Sequence, residues 1–142
     1  VPANINISNI KTNIFLNFPP WQMVKPTVNL DLTKFAKSTT NQLIYQQYFA
    51  ELKSSYPDHV SIYTDGSKDG VSVTAAAIVN SQPLTCRLPD DSSIFSAEAK
   101  AIQIALEAIR ELKAGPYILF SDSLSCLQAI KNNCDNPFII DI

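Results

Sequence analysis

The chain has 142 residues, a net charge of −2 and 46 % hydrophobic residues, a composition sufficient for the core of one ordinary domain. Its pI of about 5.2 argues against a stand-alone protein that holds nucleic acid through a broad basic surface. No apolar run approaches the ~20 residues of a membrane span, and the N-terminal residues lack the uninterrupted apolar core of a signal peptide. We therefore expect a soluble protein with no membrane partner.

Residues 1–57 are predicted to form a proline-punctuated connector that precedes the main domain. They contain five of the nine prolines of the chain. One helical pattern is present, from about residue 41 to 54, where Ile44, Tyr48 and Leu52 recur at a spacing of four residues. The connector is therefore expected to carry one amphipathic helix.

Residues 58–142 are predicted to form the main domain, which begins with three strands. The β-prone runs cover residues 60–67, 71–80 and 83–88. The turn signals "KDG" and "NSQ" separate them. Such short connections favour an antiparallel meander.

A long helix is predicted next, from about Ser93 to Lys113, and the tripeptide "AGP" is its expected stop. The nearly all-apolar run "YILFS" is typical of a central strand covered on both faces. A second helix is predicted from about Ser123 to Asn133. Because a helical crossover permits parallel pairing, the sequence predicts an α/β fold. Its mixed sheet has three antiparallel strands extended by a parallel strand, with packed helices.

The cysteines, Cys86, Cys126 and Cys134, are odd in number and lack the close paired spacing of a zinc site. This pattern favours reduced thiols in an intracellular protein, in the cytoplasm or nucleus, over a disulfide framework. The chain begins with Val1 rather than methionine, and we expect it to be a piece of a longer protein.

Asp65 comes at the end of the first predicted strand, within the segment "SIYTDGSKDG". Asp-Gly is a strong hairpin signal, but a second signal, Asp69-Gly70, follows so closely that both cannot reverse the chain. The later one is the better candidate, because the next β-prone run begins directly after it. Asp65 therefore lies within the strand or at its end, where it either shapes a local bend or holds a ligand.

Glu98 and Asp122 are two further acids in unusual positions. Glu98 is predicted in the first turn of the long helix, in phase with the apolar stripe of Ile102 and Ala105. A carboxylate is costly to bury there unless it is paired or bound to a metal, although it also suits the helix dipole if it reaches water. Asp122 follows the apolar strand, at the edge where ligands collect in open α/β sheets. Alternatively it caps the next helix, a role that Ser123 fills equally well.

Together, Asp65, Glu98 and Asp122 indicate a metal site. They lie on elements that are expected to meet at one point, and crowded carboxylates repel one another unless a divalent cation neutralises them. Oxygen ligands without a sulfur or imidazole partner favour Mg²⁺ or Mn²⁺ over zinc.

The segments "YTDGSK", "FSAEAKAIQIALEAI" and "LFSDSLSCLQAI" resemble, in this order, the first three motif blocks of the type 1 ribonuclease H domain. The resemblance covers about residues 58–134. It is closest to the version that follows the reverse transcriptase in jockey-like non-LTR retrotransposons. The connector segment "PPW" is more loosely similar to the segment that joins the polymerase to the ribonuclease H domain in those polyproteins.

This resemblance implies a ribonuclease H-like fold and cleavage of the RNA strand of an RNA/DNA hybrid, with Asp65, Glu98 and Asp122 as the catalytic, metal-binding carboxylates. In such a mechanism two divalent ions, about 3.5–4 Å apart, activate water and stabilise the leaving oxygen. Gly66 and Ser67 are expected to contact the RNA strand, whose 2′-hydroxyl distinguishes it from DNA. The expected partners are the hybrid and the reverse transcriptase domain of the same polyprotein.

The chain departs from the family's pattern at its C-terminal end. The family has a fifth strand, a loop with a histidine and a last helix with a fourth acid, and neither Asp135 nor Asp141 matches that acid. We therefore expect a truncated domain that cleaves hybrids weakly by itself. The alternative is a non-catalytic ribonuclease H-like module that binds nucleic acid or polymerase. An unrelated phosphotransfer domain is disfavoured, because no G-x-x-x-x-G-K-[ST] loop is present.

Overall fold

The computed structural model describes residues 26–36, 38–112 and 115–132. Its elements, in chain order, are a short 3₁₀ helix (Asp31–Lys34), α1 (Gln42–Ser54), β1 (Val60–Asp69), β2 (Ser72–Val79), β3 (Gln82–Leu88), α2 (Ile94–Glu111), β4 (Tyr117–Ser121) and α3 (Leu124–Lys131). The strands form one sheet in the order β3-β2-β1-β4. β1, β2 and β3 pair antiparallel, and β4 pairs parallel to β1. The predicted mixed α/β sheet is therefore confirmed.

The first chain reversal falls at Gly70 and Val71, between the paired residues Asp69 and Ser72. Gly70 has a φ of 57°, a left-handed conformation that glycine adopts without a steric penalty. The later of the two turn signals therefore makes the turn, as the sequence predicted. β1 is longer than predicted because its pairing with β2 continues to Asp69, and Asp65 lies inside the strand.

Small side chains bring α2 close to one face of the sheet. Ala75 of β2 belongs to the same buried cluster as Ala101 of α2, and Ala77 belongs to the same cluster as Ala105. All four residues are at most 1 % exposed. Because an alanine side chain ends at Cβ, helix and sheet reach the packing density of a protein interior only at short separation. The larger Ile62 of β1 is also fully buried in this layer.

Aromatic rings join α1 to the opposite face of the sheet. The Phe49 ring of α1 meets the Phe120 ring of β4 edge-on, with 4.9 Å between centroids. Tyr63 of β1 stacks on Phe120, with 5.4 Å between centroids, as expected for residues that are partners in the β1–β4 register. Lys53 at the end of α1 donates a 2.8 Å hydrogen bond to the Tyr63 hydroxyl. The predicted connector helix thus contacts the predicted main domain.

β4 has contacts on both faces, as predicted, but it is not a central strand in the part of the sheet that the structure describes. Within the described residues it is an edge strand, paired only with β1, and each of its five residues is half-buried. The apolar character of the run reflects these contacts on both sides of the sheet. Phe120 packs towards α1, while Leu119 packs against the buried clusters under α2 and α3.

None of the helices in the described part of the chain is both long and apolar enough to cross a membrane. Cys86 and Cys126 are free thiols. Cys134, Asp135 and Asp141 lie outside the described residues, as does the connector up to residue 25.

Replacing Ile62 with Ala tests the packing of the α2 layer. Removing a fully buried isoleucine side chain leaves a cavity, and we expect the free energy of unfolding to fall by about 2–5 kcal/mol. Ile78→Ala is the matched control, because Ile78 lies on the neighbouring strand and is 45 % exposed. Its expected loss is about 1 kcal/mol or less. Equal losses in urea titrations of the two variants would contradict the described core.

Candidate metal centre

The structure brings the three predicted acids together. Asp65, Glu98 and Asp122 each offer one carboxylate oxygen, and these three oxygens all lie within 4.8 Å of one another. They come from β1, from α2 and from the residue that directly follows β4. Asp65 and Asp122 are exposed, so the cluster is open to solvent. Their role as metal ligands stays a prediction.

Asp65 reaches the cluster because β1 extends past the end of β4. Thr64 pairs with Ser121, the last residue of β4, and Asp65 is therefore the first residue of β1 beyond that pairing. Side chains alternate along a strand, so Asp65 leaves the strand on the same face as Tyr63. With β4 ended, its carboxylate can approach the chain after Ser121 and the nearby start of α2.

Glu98 lies just beyond the first turn of α2, so its predicted place in that turn is wrong. Ser93 caps the helix by accepting a hydrogen bond from the Ser96 amide (3.0 Å), and helical geometry begins at Ile94. No acidic residue lies in the first turn. The helix dipole therefore contributes little to stabilising the Glu98 carboxylate. Glu98 is only 8 % exposed, which agrees with its predicted phase along the apolar stripe.

Asp122 lies in the short link between β4 and α3, and its side chain is not the helix cap. Ser123 is the cap, and its hydroxyl oxygen accepts a hydrogen bond from the Cys126 amide (3.4 Å). The Ser123 amide in turn donates to the Ser121 hydroxyl (3.2 Å). Of the two caps that the sequence left open, the structure thus uses Ser123, and the Asp122 carboxylate takes part in the acidic cluster.

Gly66 sets how closely β1 approaches α2. A Cβ atom at this position would come within 2.6 Å of the Glu98 amide nitrogen and 2.9 Å of the Ala97 carbonyl carbon. Real Cβ atoms do not approach backbone atoms so closely, so only glycine fits unless the helix moves. The sequence predicted that Gly66 contacts RNA; the structure adds that its missing side chain is required for packing beside Glu98. Contact of Gly66 and Ser67 with RNA stays a prediction.

Cys126 connects the two helices that flank the cluster. Its side chain is fully buried with Ala99 and Ile102 of α2, and its thiol lies 3.7 Å from the Phe95 carbonyl oxygen, to which it donates. Burial is the main cause that raises the pKa of the Cys126 thiol, and the negative charge of Glu98 raises it further. The thiol therefore stays protonated at neutral pH and holds α3 against the start of α2.

The donor set fits a hard divalent cation. Two negative charges 4.8 Å apart repel by about 1–3 kcal/mol at the effective dielectric constants of water and of a protein surface. A divalent cation would turn this repulsion into attraction, and carboxylate oxygens are the ligands that Mg²⁺ and Mn²⁺ prefer. The chemistry and spacing of these three residues thus suit the predicted cofactor.

A groove lies beside the cluster, between the connector and the sheet, and the sequence did not predict it. We call it the aromatic groove. Its volume is about 370 Å³, and its lining residues are Leu32, Tyr45, Gln46, Phe49, Tyr63, Thr64, Phe120, Ser121 and Asp122. The only signal in the sequence was the number of aromatic residues in the connector helix, which an amphipathic helix explains equally well. Its position next to Asp122 depends on long-range packing.

Comparison of the chain with models of known protein families, with curated proteins and with solved structures finds no match. The candidate metal centre therefore has to be judged by its own geometry and chemistry.

Gly66→Ala tests the close approach of β1 and α2. We expect a loss of about 1–3 kcal/mol in the free energy of unfolding, because the added methyl group forces the backbone of α2 away. The same shift moves Glu98 relative to the two aspartates, so Mg²⁺ should raise the melting temperature less than in the unmodified protein. The measurement is thermal unfolding with and without Mg²⁺.

Gly70→Ala is the control for this variant. A Cβ at Gly70 meets no atom within 4 Å, but its φ of 57° strains any other residue. This change should cost roughly 1–2 kcal/mol and leave the response to Mg²⁺ unchanged. The packing argument fails if Gly66→Ala unfolds like the unmodified protein.

Asp65→Asn tests the metal itself. In the unmodified protein, Mg²⁺ at ten times its dissociation constant should stabilise the native state by about 1.4 kcal/mol. Without metal, Asp65→Asn should match or exceed the unmodified protein in stability, because it relieves the repulsion between carboxylates. With Mg²⁺ it should gain much less.

Asp69→Asn is the matched control, since Asp69 is an exposed aspartate on the same strand and outside the cluster. It should retain the full Mg²⁺ response. If millimolar metal changes the melting temperature of neither the unmodified protein nor the two variants, the acids have ordinary structural roles and do not bind a metal.

Proposed function

We propose that this domain hydrolyses the RNA strand of RNA/DNA hybrids in a reaction that depends on Mg²⁺ or Mn²⁺, on a ribonuclease H-like fold. The observation that carries the proposal is the meeting of three carboxylates from β1, α2 and the end of β4 at one solvent-open point, within 4.8 Å. The order of elements and the mixed sheet are compatible with that fold. The choice of RNA/DNA hybrid as the substrate rests on the resemblance of the three sequence motifs to the ribonuclease H domain.

The reaction is a hydrolysis in which water adds to phosphorus and the bond to the 3′-oxygen breaks, leaving a 5′-phosphate and a 3′-hydroxyl. Divalent cations at such a centre supply activation of the water and neutralisation of charge on the leaving oxygen. Asp65, Glu98 and Asp122 would hold them. The chain's own contribution is to fix these oxygens. Two of the three carboxylates lie on β1 and α2, and rigid elements fix a group better than loops do.

Each carboxylate has a different support. Asp65 is part of the β1–β2 ladder, where its backbone partner is Ala76. Glu98 is held by α2, which Gly66 allows to lie close to β1. Asp122 follows β4 and precedes the Ser123 cap of α3. Since three separate elements orient the three groups, small shifts of any one element would disturb the centre.

Ser67 is the proposed contact to the RNA strand next to this centre. It is exposed, and alternation along β1 places its side chain on the same face as Asp65. A serine hydroxyl can both donate and accept a hydrogen bond, as can the 2′-hydroxyl that distinguishes RNA from DNA. The domain is nearly neutral, which suits delivery of the hybrid by an attached reverse transcriptase domain.

Incubation of a labelled RNA/DNA hybrid with Mg²⁺ tests the proposal, with the 142-residue chain and a longer chain of the same reading frame compared. The longer chain should cut only the RNA strand. We expect the 142-residue chain to be about a hundredfold slower or inactive. The resemblance implies a fourth acid that neither Asp135 nor Asp141 matches, and a poorly positioned reacting group lowers the rate by about that factor. Asp65→Asn, Glu98→Gln and Asp122→Asn should each abolish cutting, while Asp69→Asn should not.

Two outcomes would contradict parts of this proposal. Rapid cutting by the 142-residue chain would show that three acids suffice and that the expected truncation is irrelevant to activity. An inert longer chain that still binds the hybrid would favour the non-catalytic module.

A further inference from the structure

The aromatic groove has the size and lining of a small-ligand site. Its volume of about 370 Å³ lies within the range of roughly 300–1,000 Å³ that is common for such sites. Four aromatic rings line it, from Tyr45 and Phe49 of α1, Tyr63 of β1 and Phe120 of β4. Rings favour flat, aromatic partners, because offset stacking and edge contacts add to the burial of apolar surface.

Polar groups are also present in the groove. The polar residues Gln46, Thr64, Ser121 and Asp122 belong to its lining. The Thr64 hydroxyl already donates to the Phe120 carbonyl, and the Ser121 hydroxyl accepts from the Ser123 amide. Gln46 is exposed, and an aliphatic ligand would take its amide out of water without offering a hydrogen bond, which is unfavourable. A flat ring with donors and acceptors on its edge satisfies both parts of the lining. A nucleobase has this chemistry.

Position points to the same class of ligand. Asp122 lines the groove and also belongs to the acidic cluster, so the groove adjoins the candidate metal centre. The centre suits phosphate through bound divalent cations. In a nucleotide, only one sugar separates the phosphate from the base, so the base of a nucleotide with its phosphate at the centre can reach the adjoining groove.

We propose that the aromatic groove binds the nucleobase of a nucleotide whose phosphate lies at the metal centre. The inference rests on the proposed function for the phosphate part, and it assigns to the connector a direct share in substrate binding. α1 supplies Tyr45, Gln46 and Phe49 as one wall, and the sheet supplies the other. A nucleobase that enters the groove is unpaired, so the proposed occupant is a nucleotide at an open or single-stranded end and not one inside the hybrid duplex.

Isothermal titration of the full chain with three ligands in the presence of Mg²⁺ tests this site. Adenosine 5′-monophosphate carries both base and phosphate, ribose 5-phosphate carries only the phosphate, and adenosine carries only the base. None contains a phosphodiester bond, so the readout is binding and not activity. The difference in affinity between adenosine 5′-monophosphate and ribose 5-phosphate measures the contribution of the base to binding.

The variants are Tyr45→Leu and Gln46→Ala in the groove. Tyr48→Leu is the matched control, because Tyr48 lies on the same helix and stacks on Phe35 outside the groove. Helix content and melting temperature show whether each variant is folded. Gln46 is exposed, so its variant tests the groove even if Tyr45→Leu unfolds.

The unmodified protein should bind adenosine 5′-monophosphate about tenfold or more tightly than ribose 5-phosphate, the factor expected from stacking of one base on aromatic side chains. Tyr45→Leu should remove most of this difference, Gln46→Ala should reduce it, and Tyr48→Leu should retain it. Equal affinities for the two phosphates in the unmodified protein would overturn the proposal. So would an equal loss in Tyr45→Leu and Tyr48→Leu.

Failure of this inference can be distinguished from failure of the proposed function. If the hybrid is cleaved but the binding of no ligand depends on Tyr45, the proposal of a base site is wrong and the proposed hydrolysis stands. If adenosine binds in a manner that depends on Tyr45 while ribose 5-phosphate does not bind with Mg²⁺, the base site is supported and the phosphate centre is contradicted.

Discussion

The close approach of β1 to α2 at Gly66 is the constraint on which the candidate centre depends. The Cβ that glycine lacks would meet the Glu98 amide nitrogen at 2.6 Å, so strand and helix backbones are nearly in contact there. Alanines along the same interface, Ala97 and Ala101 of α2 and Ala75 of β2, keep the separation short over the following turns. A larger side chain at any of these positions would tilt or displace α2. Glu98 would then leave the two aspartates.

The cluster of three carboxylates destabilises the folded protein at the place where the proposed reaction requires negative charge. Three carboxylates within 4.8 Å, one of them only 8 % exposed, disfavour the folded state without a cation. The rest of the domain offsets the cost through ordinary burial. Ile62, Val73 and Ile102 are at most 2 % exposed, and each buried side chain of this size contributes about 1.5–3 kcal/mol. Functional sites typically contain such unfavourable interactions, which the well-packed remainder of the domain offsets.

α1 has a different relation to the domain. It contains no buried residue, so aromatic contacts such as Phe49 with Phe120 and the bond from Lys53 to Tyr63 hold it on the sheet. Aromatic pairs contribute about 0.5–1.5 kcal/mol beyond their buried area. The helix is therefore held less firmly than α2. Because it forms one wall of the aromatic groove beside Asp122, motion of the connector would change access to the centre without changing the carboxylates themselves.

Much of this structure follows from local patterns in the sequence. The turn at Gly70, the start of α2 near Ser93 and the alternation of Ile62 and Thr64 along β1 were readable because they depend on neighbouring residues. Ser123 was one of two caps that the sequence left open. The three acids were also readable, since each occupies a position where a carboxylate is costly or unusual. Their convergence could be expected from the order of the elements.

Other features were decided by tertiary contacts. The sequence predicted Gly66 as part of a turn signal and as a contact to RNA, whereas its close approach to α2 depends on a helix some thirty positions away. The sequence predicted Ile44, Tyr48 and Leu52 as the apolar side of α1, but Ile44 and Tyr48 are 47 % and 40 % exposed. Tyr45 and Phe49 line the groove beside the sheet instead. β4 was expected in the centre of a sheet from its apolar composition, which does not state how many strands pair with it. Local sequence thus determined the elements and the identity of the acids, while the distances between elements were set by the sizes of side chains that meet only in the folded chain.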